Sequence, residues 1–235
     1  MDNSYLTIKN NIDIINENVA KALERSGRTD SVTVLAATKM NSADRINFAL
    51  ENGIKCIGEN KVQELLAKYD DINKENISIH FIGHLQKNKV KYIIDKVDMI
   101  ESLDSVSLAQ EIDKHAKKLG IVMKVLVEVN ICNEESKGGV APEQLENFLK
   151  EVAKFTNIRV SGLMAIPPIM TDFDCQRQIF RKIMKIYVDI SGKNMDNIYM
   201  DILSMGMSDD YELAIEEGAT IVRIGSSLFG KRNYQ

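Results

Sequence analysis

The chain has 235 residues, a formal net charge of −4 and 44% hydrophobic residues. That is enough apolar material for one large core, and the acidic balance excludes the overall basic footprint of a nucleic-acid binder. Cys56, Cys132 and Cys175 are too few and too far apart for a disulfide framework or a zinc pattern, so a reducing cytoplasm is expected. No basic-then-apolar leader opens the chain and no apolar run reaches membrane-spanning length, so neither secretion nor membrane insertion is expected. With only three prolines and no Ser/Gly linker, one domain over residues 1–235 is the expectation.

Residues 5–25 read as a helix, because Tyr5, Ile8, Ile12, Ile15, Val19 and Ala22 recur at spacings of three and four. Gly27 is its stop. Residues 32–39 form a β-branched apolar run that ends in Lys39 and read as a strand. Alternation puts Thr33, Leu35, Ala37 and Lys39 on one face.

A helix capped by Asn41 or Ser42 runs to Asn52, and a second strand covers 54–57. A helix with Val62, Leu65, Leu66 and Tyr69 leads to a third strand over 77–82. Val90, Ile93 and Ile94 mark the next helix, and its basic run Lys87-Asn88-Lys89-Val90-Lys91 reads as a solvated face or an anion contact. A fourth strand over 99–103 and a helix over 106–119 follow, with Gly120 as cap. In the fifth strand, 122–130, Met123, Val125, Val127 and Val129 share an apolar face, while Lys124, Glu128 and Asn130 make the other unexpectedly polar.

Pro142 opens the next helix. Strand six covers 158–166, a helix runs over 174–189, and strand seven covers 198–204. A helix over 209–217, an eighth strand over 221–225 and a helical turn over 226–229 complete the pattern. Eight strand–helix units behind an extra N-terminal helix predict an α/β fold, a (β/α)8 barrel with parallel pairing. The absence of Gly-x-Gly-x-x-Gly after strand one weakens a doubly wound sheet.

A barrel carries its chemistry on the loops that follow its strands. An amine at the end of strand one, in a partly apolar setting, can form a Schiff base with a carbonyl. Gly206 and Gly225 let backbone approach closely, and Ser204, Ser208, Ser226 and Ser227 offer hydroxyls. These serines either cap the next helices or help bind a phosphate, and both uses employ the same backbone N–H groups. Alternation turns Arg223 into the barrel, where it needs an acceptor: Glu128, Asp201 or the ring nitrogen of an aromatic cofactor. His80 reads as a hydrogen-bonded structural histidine, and no metal or Ser-His-Asp spacing is present. An amine, a phosphate cradle and an inward arginine together describe a pyridoxal 5′-phosphate (PLP) site. A Schiff-base aldolase without cofactor is a competing reading.

The motifs span the chain in order. They include Ala36-Ala37-Thr38-Lys39, Gly58-Glu59-Asn60-Lys61-Val62-Gln63-Glu64, His80-Phe81-Ile82-Gly83-His84-Leu85-Gln86, Ser136-Lys137-Gly138-Gly139, Ser204-Met205-Gly206-Met207-Ser208 and Val222-Arg223-Ile224-Gly225-Ser226-Ser227. With them the chain resembles the pyridoxal phosphate homeostasis proteins, the YggS/PROSC family. Thr38 stands where that family more often has serine, and Met205 where it more often has leucine.

The resemblance implies a modified (β/α)8 TIM barrel like the alanine racemase N-terminal domain. It implies cofactor binding by Lys39 (Schiff base), Asn60, His80, Ser204, Met205, Ser208, Arg223, Gly225 and Ser226. It also implies a carrier or buffer of PLP, with no committed catalysis and with PLP-dependent apo-enzymes as potential recipients. The cysteine usage adds a cytoplasmic setting, and the lack of a large uncovered apolar stripe a monomer. A racemase-like enzyme is the alternative. Racemases of this barrel type also use an arginine but add a second β domain and a tyrosine from across a dimer. The chain ends at Gln235, soon after Gly230, so no such domain is expected.

Overall fold

The computed structural model describes residues 3–132 and 138–230. The eight strands are β1 (Thr33–Ala37), β2 (Cys56–Glu59), β3 (Ser78–Phe81), β4 (Met99–Leu103), β5 (Met123–Val129), β6 (Ile158–Ala165), β7 (Ile198–Met207) and β8 (Ile221–Ile224). Each pairs in parallel with the next, and β8 pairs with β1, so the sheet closes as the strand count predicts. Helices α1 (Asn3–Ser26), α2 (Ala43–Glu51), α3 (Val62–Lys68), α4 (Val90–Ile93), α5 (Val106–Leu119), α6 (Leu145–Val152), α7 (Phe173–Ser191), α8 (Tyr211–Glu216) and α9 (Ser226–Phe229) complete the order.

The main core lies between sheet and helices and takes the outward residues of the strands, such as Met123, Val125, Val127 and Val129 of β5. The inward residues form two small apolar clusters inside the barrel, one around Leu35, Ala37 and Cys56, the other around Met99, Leu126 and Met164. Polar side chains fill the rest of the interior.

The predicted stripe of α1 is buried at Ile8, Ile12, Ile15 and Ala22 and packs on α2, α8 and α9. Each buried isoleucine contributes about 1.5–3 kcal/mol relative to exposure. Polar contacts add direction. Asn11 donates to the Leu228 carbonyl and Asn18 to the Tyr211 hydroxyl, each at 2.9 Å, while Arg25 pairs with Glu212 and Glu216.

Three strands differ from the sequence reading by two residues or more at one or both ends. β1 stops at Ala37, so Thr38 and Lys39 begin the loop. β2 starts and ends two residues later, which puts Glu59 in the strand. β7 runs on past Ser204, its expected last residue, to Met207 through Met205-Gly206. Pairing with β6 and β8 holds that stretch extended, with a register shift between Ser204 and Met207. Gly206 permits the shift: its φ is 88°, and a Cβ there would sit 2.4 Å from that of Ala214.

A second irregularity centres on Gly162, where the register of β6 shifts against both β5 and β7. Its φ is 150°, and a Cβ would lie 1.8 Å from the Ile202 carbonyl oxygen. Gly162→Ala should therefore cost about 3 kcal/mol or more in urea unfolding, whereas Gly192→Ala, at an ordinary helical φ of −75°, should stay within about 0.5 kcal/mol.

Candidate functional site

Lys39 leaves the carboxyl end of β1 in a loop fixed on both sides. The Lys68 ammonium, buried at the end of α3, donates to the carbonyls of Thr38 (3.0 Å) and Asn41 (3.2 Å) and pairs with Glu59. The Thr38 hydroxyl donates to the same Glu59 carboxylate. Met40 takes a left-handed φ of 61°, and its N–H donates to Glu64 at 2.8 Å. The two residues between the carbonyls that Lys68 grips are thus Lys39 and Met40. In the sequence, Glu59 was read only as part of a motif, without a role, and Lys68 was not named. A signal was present, since Lys68 occupies an inward position three residues after Leu65 on α3.

Inside the barrel, a hydrogen-bonded chain links four strands. His80 Nδ1 lies 2.6 Å from Glu101 Oε1, Ser204 Oγ lies 2.6 Å from Glu101 Oε2, and Arg223 Nη1 lies 2.7 Å from Ser204 Oγ. Arg223 Nη2 also donates to the Ala165 carbonyl at 2.8 Å. All four side chains are buried.

Burial works against charge on His80, but the Cys56 thiol and the Glu101 carboxylate outweigh it and raise its pKa to about 10. Burial likewise opposes charge on Glu101, yet His80, Arg223 and Ser204 hold its pKa below the usual value. Burial lowers the pKa of Arg223, against the attraction of Glu101, Glu128 and Asp210. Arginine nevertheless keeps its proton at ordinary pH.

This chain corrects the expected partners of Arg223. Asp201 is on the surface, paired with Arg159 at 3.0 Å. Glu128 acts only through its charge. The acceptor is Ser204, with Glu101 behind it, and the sequence reading did not single out Glu101.

Lys39, Asn60, Ser208, Arg223, Gly225 and Ser226 line one cavity of about 170 Å³ at the carboxyl ends of the strands. A neighbouring cavity of about 540 Å³ shares Asn60, Ile82 and Ile166 with it and adds His84, Glu128 and Asn130. Burial, then the nearby Asp104 charge, raises the pKa of Glu128, while Arg223 and His84 oppose the rise.

Three expected site residues do not line the Lys39 cavity. His80 and Ser204 are committed to Glu101 inside the barrel, and the Met205 side chain packs outward into the main core. β7 runs past Ser204 and Met205, so neither sits in the loop where a phosphate cradle was expected. Ser136 and Lys137 lie outside the described residues. Among the described residues, no cluster could hold a metal ion and no tyrosine lines either cavity.

The N-cap residues of α8 and α9, Asp210 and Gly225, make no side-chain cap bond, and of the serines near the last two strands only Ser208 takes N–H groups at a helix start. Ser208 Oγ accepts from the N–H groups of Gly225 and Ser227, each at 3.2 Å, and Ser227 Oγ donates to the Ser208 carbonyl. These bonds tie the loop after β7 to the turn after β8. Gly225 keeps its wall thin, since even a Cβ there would only reach ordinary contact with Ala37. Among the described residues, the donor set around the cavity is one amine, one permanent cation, the Asn60 amide and a serine/glycine turn, with Asp209 as the one carboxylate. The set fits an anionic aromatic aldehyde with a ring acceptor.

Two outcomes follow. His80 has a folded pKa of about 10 against 6.5 unfolded, so its contribution to stability is complete below pH 6.5 and is lost as pH rises through about 10. Thermal melts across that window should fall, and His80→Gln should flatten the fall. Lys68→Met leaves the buried Glu59 carboxylate without its cation and should cost about 3–5 kcal/mol in denaturant unfolding. Lys68→Met combined with Glu59→Gln should recover part of that loss.

Residues 11–233 match the model of the alanine racemase N-terminal domain. A pyridoxal phosphate homeostasis protein of Aquifex aeolicus is 46% identical over 219 residues, covering 93% of this chain and 95% of that one. Among solved structures, an unknown protein from Bifidobacterium adolescentis has a TM-score of 0.92 at 35% identity, covering 97% of this chain and 96% of its own. PipY of Synechococcus elongatus, solved with PLP bound, has a TM-score of 0.79 at 31% identity and covers 90% of this chain and 100% of its own. The chain therefore belongs to the alanine racemase N-terminal domain family and, within it, to the pyridoxal phosphate homeostasis proteins.

Proposed function

We propose that the chain, as a single barrel domain over 1–235, binds PLP through a Schiff base to Lys39 and serves as a carrier or buffer for it, without committed catalysis. The observation that carries the reading is the convergence of Lys39, Arg223 and the Ser208/Gly225/Ser226 turn on one cavity. The names of the relatives and the PLP in PipY support it.

In this reading Lys39 supplies the amine, Arg223 meets the ring nitrogen, and the turn at Gly225 and Ser226 faces the phosphate. Bound PLP activates amines through its aldehyde, and it withdraws electrons most strongly when its ring nitrogen is protonated. Arg223 offers that nitrogen a hydrogen bond but no proton, which favours holding over turnover. The lack of a tyrosine among the described cavity residues points the same way. Three free cysteines suit a reducing cytoplasm, and the proposal there is a monomer that supports PLP and amino-acid balance, with PLP-dependent apo-enzymes as recipients.

Wild-type protein mixed with PLP should develop a visible absorbance band, and borohydride should fix the cofactor to Lys39 in a peptide map. Lys39→Ala should lose both signals. Arg223→Ala should keep the band and weaken retention about tenfold or more, as expected for a hydrogen bond from a charged donor. If wild-type protein cannot be loaded, the reading fails. The match to a racemase domain favours a racemase-like enzyme as the second reading, and α-proton exchange of amino acids in heavy water at enzymatic rates would establish it.

A further inference from the structure

We infer that Glu101, acting through Ser204, is a positioning residue that aims Arg223 at the ring nitrogen of the bound cofactor. The inference rests on the PLP reading above.

The hydrogen atoms along the chain can be assigned. Arg223 has only donors, so Ser204 accepts from Nη1. The single Ser204 proton must then go to Glu101 Oε2. Glu101 Oε1 faces His80 Nδ1, so the carboxylate accepts from both sides. From Arg223 through Ser204 the donors run toward Glu101, and turning the Ser204 hydroxyl around would leave Arg223 facing a hydroxyl proton.

The guanidinium is also held at a second point, by Nη2 on the Ala165 carbonyl at 2.8 Å. Two anchors on different nitrogens fix the plane of a rigid fork as well as its position. Arg223 reaches the Lys39 cavity, whereas Glu101 and Ser204 stay behind it, fully buried. They can therefore act on a ligand only through Arg223.

Stability alone is a weak reason for this arrangement. A buried ionic group is often replaceable by apolar side chains at no loss, so its presence calls for a role in position or specificity. An arginine aimed at one ring atom needs such a fixed support, because a group about 1 Å out of place forfeits much of its effect.

The test compares equilibrium binding of PLP with that of its analogue carrying C–H in place of the ring nitrogen. Wild-type protein should prefer PLP about tenfold or more, the value of one hydrogen bond from a charged donor. Arg223→Ala should abolish the preference. Ser204→Ala, which removes a hydroxyl and no charge, should bring it close to unity while the analogue still binds. Ser204→Thr, which restores a hydroxyl, should recover it, and Glu101→Gln gives an independent reading if a Ser204 variant fails to fold. A purely structural role would weaken both ligands in equal proportion, and that result, or an unchanged preference in Ser204→Ala and Glu101→Gln, overturns the inference alone. Wild-type protein that binds neither ligand overturns the cofactor reading and this inference with it.

Discussion

Arg223 cannot lose its charge at ordinary pH, and it sits inside a closed sheet with little room for water. An unpaired cation there would cost several kcal/mol, so the barrel is arranged around an anion that answers it. Glu101 supplies that anion from four strands away along the sheet, and Ser204 spans the remaining gap. His80 takes the other carboxylate oxygen. Glu101 is thus shared between His80 and the Ser204–Arg223 arm, beneath the cavity that Lys39 enters.

Lys39 is held by separate means. Asn41 closes the loop on itself through the Thr38 and Lys39 carbonyls, and Met40 is in a conformation that most side chains avoid. A second buried pair, Glu59 with Lys68, grips the carbonyls on either side and keeps that backbone in place. The amine and the guanidinium of one cavity thus depend on two ionic clusters with no member in common. Damage to one need not propagate to the other.

Much of the fold was legible because it repeats. Eight β-branched runs separated by helical stripes allow few topologies, and period-two alternation was enough to turn Arg223 inward and the valines of β5 outward. Lys39 was legible as the abrupt end of such a run. Met205 and Gly206 were left out of strand seven because glycine and serine usually punctuate loops, whereas here pairing to two neighbouring strands overrode local preference. Glu101 and Lys68 were not singled out for a different reason. Their partners are distant in sequence and meet them only when the barrel closes, so no local pattern announces the pairs.

The N-terminal helix has a consequence for how the molecule comes into being. Its contacts reach Leu228 and Tyr211, separations of 217 and 193 residues, and β1 finds its second neighbour only in β8. Helix α1 therefore waits for segments made about two hundred residues later. Until then its row of isoleucines has only α2 as cover, and contacts of such long range form slowly. The turn that ties β7 to β8 belongs to that same late segment, so ligand-binding competence and completion of the fold arrive together.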